Sequence, residues 1–214
     1  MRSKAQPADQ IPGPGGHDVR KARPDEVTAL SRALARAFFE DPLSTYVLPD
    51  ASNRPRISEA GLTLFLRRAW FELGETYAVG EPAAGVCIWN PPGTWEIGIG
   101  KQLSMLPALL RVYGRNLPRL LSALNSAESD HPTEPHYYLP FLGVEPESQG
   151  RGMGSALMHP VLSRCDADRT AAYLESSTTR NRALYERHGF EVMSEFKLGR
   201  GGPTFWRMWR VPNQ

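Results

Sequence analysis

Residues Tyr137–Arg164 read YYLPFLGVEPESQGRGMGSALMHPVLSR, and the fold turns on how this stretch divides. Leu139–Val144 is a short apolar run of the kind that forms a buried strand. Glu145-Pro146-Glu147-Ser148 ends it, because proline has no N–H to give to a ladder. A helix opens from Gln149-Gly150-Arg151-Gly152-Met153-Gly154, with Met153, Ala156, Leu157 and Val161 on its apolar face. A glycine-rich turn from strand to helix leaves backbone N–H groups unpaired at the positive end of the helix dipole. Such an end binds anions, phosphates above all.

Three phosphate-binding patterns compete for this turn. A P-loop requires Gly-Lys-Ser/Thr, and no lysine is present. A dinucleotide fingerprint counted from Gly150 requires glycine where Ser155 stands. The third pattern, Gln/Arg-x-x-Gly-x-Gly/Ala, is met by Gln149, Gly152 and Gly154. It resembles the acetyl-CoA pyrophosphate loop of the GCN5-related N-acetyltransferases (GNAT). Taken alone, a merely tight strand-helix turn explains it equally well.

A second stretch separates these readings. Tyr173–Ser177 is another short strand, followed by NRALYERHGF over 181–190. Asn181, Tyr185 four residues on, and then Gly189-Phe190 resemble the second signature of the same superfamily. The resemblance runs from about Asp18 to the C-terminus. It is closest in character to the puromycin N-acetyltransferase group, through Phe141–Ala156, Pro160 and Leu174–Phe190. It implies an α/β (α+β) fold: a mixed, mostly antiparallel central sheet flanked by helices, with splayed central strands.

Bulk composition agrees with one globular domain. A chain of 214 residues with 41% hydrophobic and 22% charged side chains has length and apolar content for one substantial core. The expected organisation is a disordered tail over 1–17, rich in Pro and Gly, and an acetyltransferase domain over 18–214. A net charge of +2 without a dense Lys/Arg block argues against nucleic acid as a partner. Cys87 and Cys165 form neither a disulfide framework nor a metal-ligand set, so no metal is expected. No signal peptide and no run of ~18 apolar residues is visible. A reducing cytoplasm is the expected location, with no membrane partner.

Along the chain, Asp18–Ala22 reads as a first strand, and Pro24-Asp25-Glu26 starts a helix striped by Val27, Leu30, Leu34, Ala37 and Phe38. Phe39–Asp50 reads as a loop with two aromatic and three acidic residues, suited either to walling an amine pocket or to simple core packing. Ile57–Leu73 has helical periodicity. Thr76–Val79 and Gly85–Trp89 form a hairpin around Gly80-Glu81-Pro82. Residues 93–129 are helical in pattern and exceed what the core of such a fold requires. They suit an insertion covering the acceptor site, and equally a homodimer contact. Phe190–Leu198 and Thr204–Val211 close the chain as a hairpin.

The resemblance also assigns roles. Acetyl-CoA is the implied co-substrate. The backbone from Arg151 through Gly152, Met153 and Gly154 to Ser155 would hold its pyrophosphate, with Gln149 and Gly150 in the same turn. Leu142, Gly143 and Val144 would face pantetheine, and Asn181 would hydrogen-bond that arm; a helix N-cap is its structural alternative, and the two roles are compatible. Tyr185 is the implied acid for the departing thiolate: a phenol of pKa about 10 is protonated at neutral pH and can donate to a sulfur of pKa about 8.5. Without the motif it would read as a core tyrosine. Glu175 matches a glutamate near the acceptor amine in the puromycin-type group, although its direction along the strand is open, and so is a purely structural pairing with an arginine. His136 and His159 have no assigned role, and His188 suits a helix C-terminus.

The expected activity is therefore acetyl transfer from acetyl-CoA to the primary amine of a small molecule, with antibiotics among the candidates. Acetylation of protein lysines or N-termini is an alternative requiring an open, peptide-wide groove. A catalytically silent acyl-CoA sensor is another.

Overall fold

The computed structural model describes residues 10–213. Eight strands form one sheet in the order β1-β2-β3-β4-β5-β6-β8-β7. They are β1 (Gln10–Pro12), β2 (Asp18–Lys21), β3 (Thr76–Val79), β4 (Gly85–Asn90), β5 (His136–Val144), β6 (Ala171–Ser176), β7 (Glu191–Lys197) and β8 (Thr204–Arg210). Every adjacent pair is antiparallel except β5 and β6, which run parallel. The helices are α1 (Val27–Ala37), α2 (Pro42–Val47), α3 (Arg54–Phe65), α4 (Ile99–Tyr113), α5 (Leu117–Glu128), α6 (Met153–Ala167) and α7 (Thr179–Glu186).

The two-residue alternation of β4 divides the core. Val86 and Ile88 pack with α1 to α5, whereas Cys87 and Trp89 pack with α6 and Tyr185 of α7. All six residues of β4 are buried, as a strand covered on both faces requires.

Three segments differ from the sequence-based expectation. Residues 10–17, expected in the tail, include β1, which pairs with β2; residues 1–9 lie outside the described chain. Phe39–Asp50, expected as a loop, contains α2. Asp41 caps it by accepting from Leu43 N at 2.9 Å, and Pro42 sits in its first turn. The remainder of 39–50 is held by the buried Arg54, which donates to the carbonyls of Leu48 (2.8 Å), Phe39 (3.0 Å) and Pro49 (3.3 Å). Finally, α3 continues past Phe65 through a π-helical turn over Leu66–Trp70.

Candidate active site

The site begins where β5 leaves β6. The two strands pair only through His136, Tyr137 and Tyr138 against Ala171, Ala172 and Tyr173. On its other side β5 carries a bulge: Tyr138 faces Asn90 and Phe141 faces Ile88, so Leu139 and Pro140 oppose a single residue of β4. Proline at this irregularity removes no regular ladder bond.

Beyond the divergence lies an open groove of about 1140 Å³, walled by Leu142–Val144, Gln149, Gly150, Gly152–Ser155, Asn181, Leu184 and Tyr185. Gly150 and Gly152 hold left-handed φ values of 77° and 85°, which side chains with a Cβ rarely adopt. Gly152 is the N-cap of α6, so the first N–H groups of that helix open here. At Gly154 a Cβ would stand 3.4 Å from Leu184 and 4.0 Å from Leu142, narrowing the groove between β5 and α7. This cradle suits a polyanion with a slender arm such as acetyl-CoA. Gly143 has a different reason to be glycine. A Cβ there would lie within about 3 Å of Leu34, Ala37 and Phe38, where α1 packs on β5.

Gln149 braces the turn by donating to the Val144 carbonyl at 3.0 Å. Arg151 alone of the expected cofactor residues lies off the groove wall; its carbonyl accepts from His17 Nε2 at 2.5 Å. Asn181 is not an N-cap, since Thr178 caps α7 by accepting from Asn181 N at 3.1 Å. The Asn181 side chain reaches Ser177 Oγ at 3.4 Å, and Ser177 donates to Asp41 at 2.5 Å. Burial, then Asp41 and Cys87, push the Tyr185 phenol well above its ordinary range, so it remains protonated. His188, expected only to suit a helix end, meets Ser155 Oγ at 2.8 Å, and burial lowers its pKa.

Glu175 does not line this groove. It faces a second, smaller cavity of about 200 Å³, walled by Phe38, Phe65, Trp70, Trp95, Phe141 and Phe205 among others. Phe38 is common to both walls. Helices α4 and α5 contribute Tyr113, Leu120, Ala123 and Leu124. Strand alternation settles the direction left open by the sequence: Leu174 joins the core under α6, and Glu175 projects to the opposite face. Its Oε2 accepts from the Tyr138 hydroxyl at 2.8 Å. Its Oε1 is buried with no hydrogen-bond partner among the described residues, and Asn90 Oδ1 on the same wall is likewise unpartnered. Burial pushes the Glu175 carboxyl up to about 7, against the smaller opposing pull of Tyr138, Tyr173 and Arg207. His131, stacked on Trp95 at 3.8 Å, completes the wall; nothing in the sequence had pointed to it.

Residues 121–192 match the acetyltransferase (GNAT) domain family. An uncharacterised N-acetyltransferase of Schizosaccharomyces pombe is 29% identical over 193 residues, spanning 85% of this chain and 77% of that protein. A structure of histone acetyltransferase HPA2 and related acetyltransferase from Corynebacterium glutamicum superposes with a TM-score of 0.70 at 24% identity, over 92% of this chain and 97% of the other. Arylalkylamine N-acetyltransferase 2 from Aedes aegypti superposes at 0.63 with 13% identity, over 91% and 98%. The match to that family covers residues 121–192, and the whole chain has the fold of these acetyltransferase structures. Among the described residues no cluster could hold a metal ion, and no helix is long and apolar enough to cross a membrane.

Proposed function

We propose that this protein is an acetyl-CoA-dependent N-acetyltransferase acting on the primary amine of a small, largely apolar molecule. The observation that carries this reading is the free Oε1 of Glu175 in an aromatic cavity beside the groove. An unpaired buried acceptor is costly, and an incoming ammonium supplies the missing donor. Asn90 Oδ1 offers a second acceptor, and the aromatic wall suits an apolar body carrying one cationic end. A carboxyl titrating near 7 is matched to taking a proton at neutral pH, which frees the amine to attack.

In the groove, Gly150, Gly152 and the start of α6 would hold the pyrophosphate, and Leu142–Val144 with Asn181 would align the pantetheine arm. Bound acetyl-CoA supplies the acetyl thioester. Tyr185, protonated at the groove wall, donates to the departing thiolate. Arg151 would act only through its backbone.

Size narrows the acceptor. Sites for drug-sized ligands span about 300–1,000 Å³. A cavity of about 200 Å³ suits a short arylalkyl or alkyl amine better than a bulky aminonucleoside antibiotic. Two neighbours in fold are named for arylalkylamines. Residues 93–129 cover the cavity, which disfavours a lysine on a folded protein.

The test is thiol release from acetyl-CoA with short arylalkyl amines, alkyl amines, polyamines, aminonucleosides and peptides. Turnover highest for the short apolar amines is expected. Turnover only with peptides would replace the acceptor class, and acetyl-CoA binding without turnover on any amine would favour the sensor.

A further inference from the structure

Two buried histidines stand behind Glu175, and their proton positions follow from their partners. His136 Nδ1 lies 2.7 Å from the Glu134 carbonyl. A carbonyl only accepts, so the proton is on Nδ1. Burial lowers the pKa of His136 and brings that of His131 down to about 3, so both rings are neutral. A neutral His136 with its proton on Nδ1 has a bare Nε2. His131 Nε2, 3.0 Å away, must then be the donor. His131 consequently carries no proton on Nδ1, and this lone pair faces Glu175 Oε1 at 3.9 Å. With Glu175 ionised, two acceptors face each other, which accounts for the separation and for the free oxygen.

We propose that the His131–His136 pair is a tautomeric lock that prevents His131 from capping Glu175 Oε1 and so keeps that oxygen free for the acceptor amine. The proposal deepens the reading of Glu175 as the amine-facing base. Rotation of His131 offers no escape, because the ring is sandwiched. Trp95 stacks on it at 19°, and Tyr138 and Tyr173 meet it edge-on at 4.8 and 4.7 Å. Four other polar groups stand around Glu175 and His131: Tyr138, Arg207, Tyr173 and Glu128. Tyr138 is committed to Oε2. Arg207, paired with Glu175 across β8, donates to the Ser126 carbonyl at 3.1 Å and lies 3.5 Å from Asp130. The Tyr173 hydroxyl and Arg207 Nε are buried without a hydrogen-bond partner among the described residues, and burial beside Glu96 pushes the Glu128 carboxyl up.

Removing the acceptor at position 136 releases the lock. His131 then shifts its proton to Nδ1 and donates to Oε1, which stabilises the carboxylate and competes with the amine.

The experiment uses the full chain with nitrogen-15-labelled histidine. At pH 8 the wild-type His131 signal is expected to show Nε2 protonated and Nδ1 bare, and His136→Phe to reverse this. In that variant the acid limb of kcat/KM is expected to move down by about one pH unit. KM for the amine should rise about tenfold with KM for acetyl-CoA unchanged. His136→Gln, which puts a carbonyl oxygen near the place of Nε2, is expected to restore the wild-type tautomer and profile. A wild-type His131 protonated on Nδ1 overturns the proposal, as does an unmoved acid limb in a folded His136→Phe. The nitrogen signals need no acceptor, so the lock is decided even if no amine is turned over and the catalytic reading fails.

Discussion

The groove and the cavity share Phe38 and little else in construction. The groove has at its centre one contiguous run of chain: the end of β5, the glycine turn and the first turn of α6. The cavity is made of side chains brought from α2 to α5, β4 to β8 and the segments between. Backbone recognition is written locally, because a few glycines at fixed spacing set the turn. Side-chain recognition emerges only after distant segments pack. One surface can therefore be inherited nearly unchanged while the other is redrawn for a new acceptor.

The largest expected effect breaks the cavity and spares the groove. Glu175→Gln should lower kcat/KM at neutral pH by about 10²–10⁴-fold, with partial recovery at high pH and no change in acetyl-CoA affinity. The same substitution should stabilise the protein in alkali. The folded-state pKa of Glu175, about 7, lies above the ordinary glutamate value of 4.5, so its contribution is full below that lower value and is lost as pH rises through 7. Glutamine removes a difference of roughly 3 kcal/mol. Thermal melts should therefore place the variant above wild type at pH 8 and level with it near pH 4. Earlier melting at both pH values, with one uniform activity loss, would make Glu175 structural.

Tyr185→Phe tests the groove's chemistry without touching its phosphate end. Turnover at saturating acetyl-CoA should fall about 10²-fold or more while cofactor binding holds. Wild-type turnover would return Tyr185 to the core packing it shares with Phe190.

Gly152→Ala should cost about 1–2 kcal/mol for a left-handed residue with a Cβ. It should also remove most of the stabilisation of about 2.7 kcal/mol that acetyl-CoA gives wild type at 100 times its Kd. An undiminished thermal shift would place the anion site elsewhere. The smallest effect sharpens the cavity: Leu124→Ala should shift amine preference about tenfold towards bulkier acceptors and leave KM for acetyl-CoA alone. Unchanged selectivity would remove α5 from the acceptor wall.

What was legible in the sequence follows the same division. The strand, turn and helix of 139–167 and the closing hairpin could be read because glycine, proline and apolar period act over a few residues. The glycines on the groove wall were found for that reason. Asp41-Pro42 carried a helix-start signature that the acidic and aromatic composition of 39–50 obscured, so α2 was missed. Arg54 gave no sign, since its three carbonyl partners become neighbours only when the loop folds over it. The direction of Glu175 depended on strand parity, and parity depended on where the core lay. His131 and His136 stand five residues apart, either side of a proline-containing turn into β5, with no spacing that announced a shared proton.

The parting of β5 and β6 has one more consequence. Three register pairs are all that join the two strands. A sheet interrupted in its middle has a seam, and its halves are held together by helices and side chains more than by the ladder. A ligand seated along that seam crosses it as a suture crosses a wound. Amide hydrogens of Leu139–Val144 and Leu174–Ser176 should then exchange independently in the free protein and slow together on acetyl-CoA binding, so that two sub-domains unfold as one.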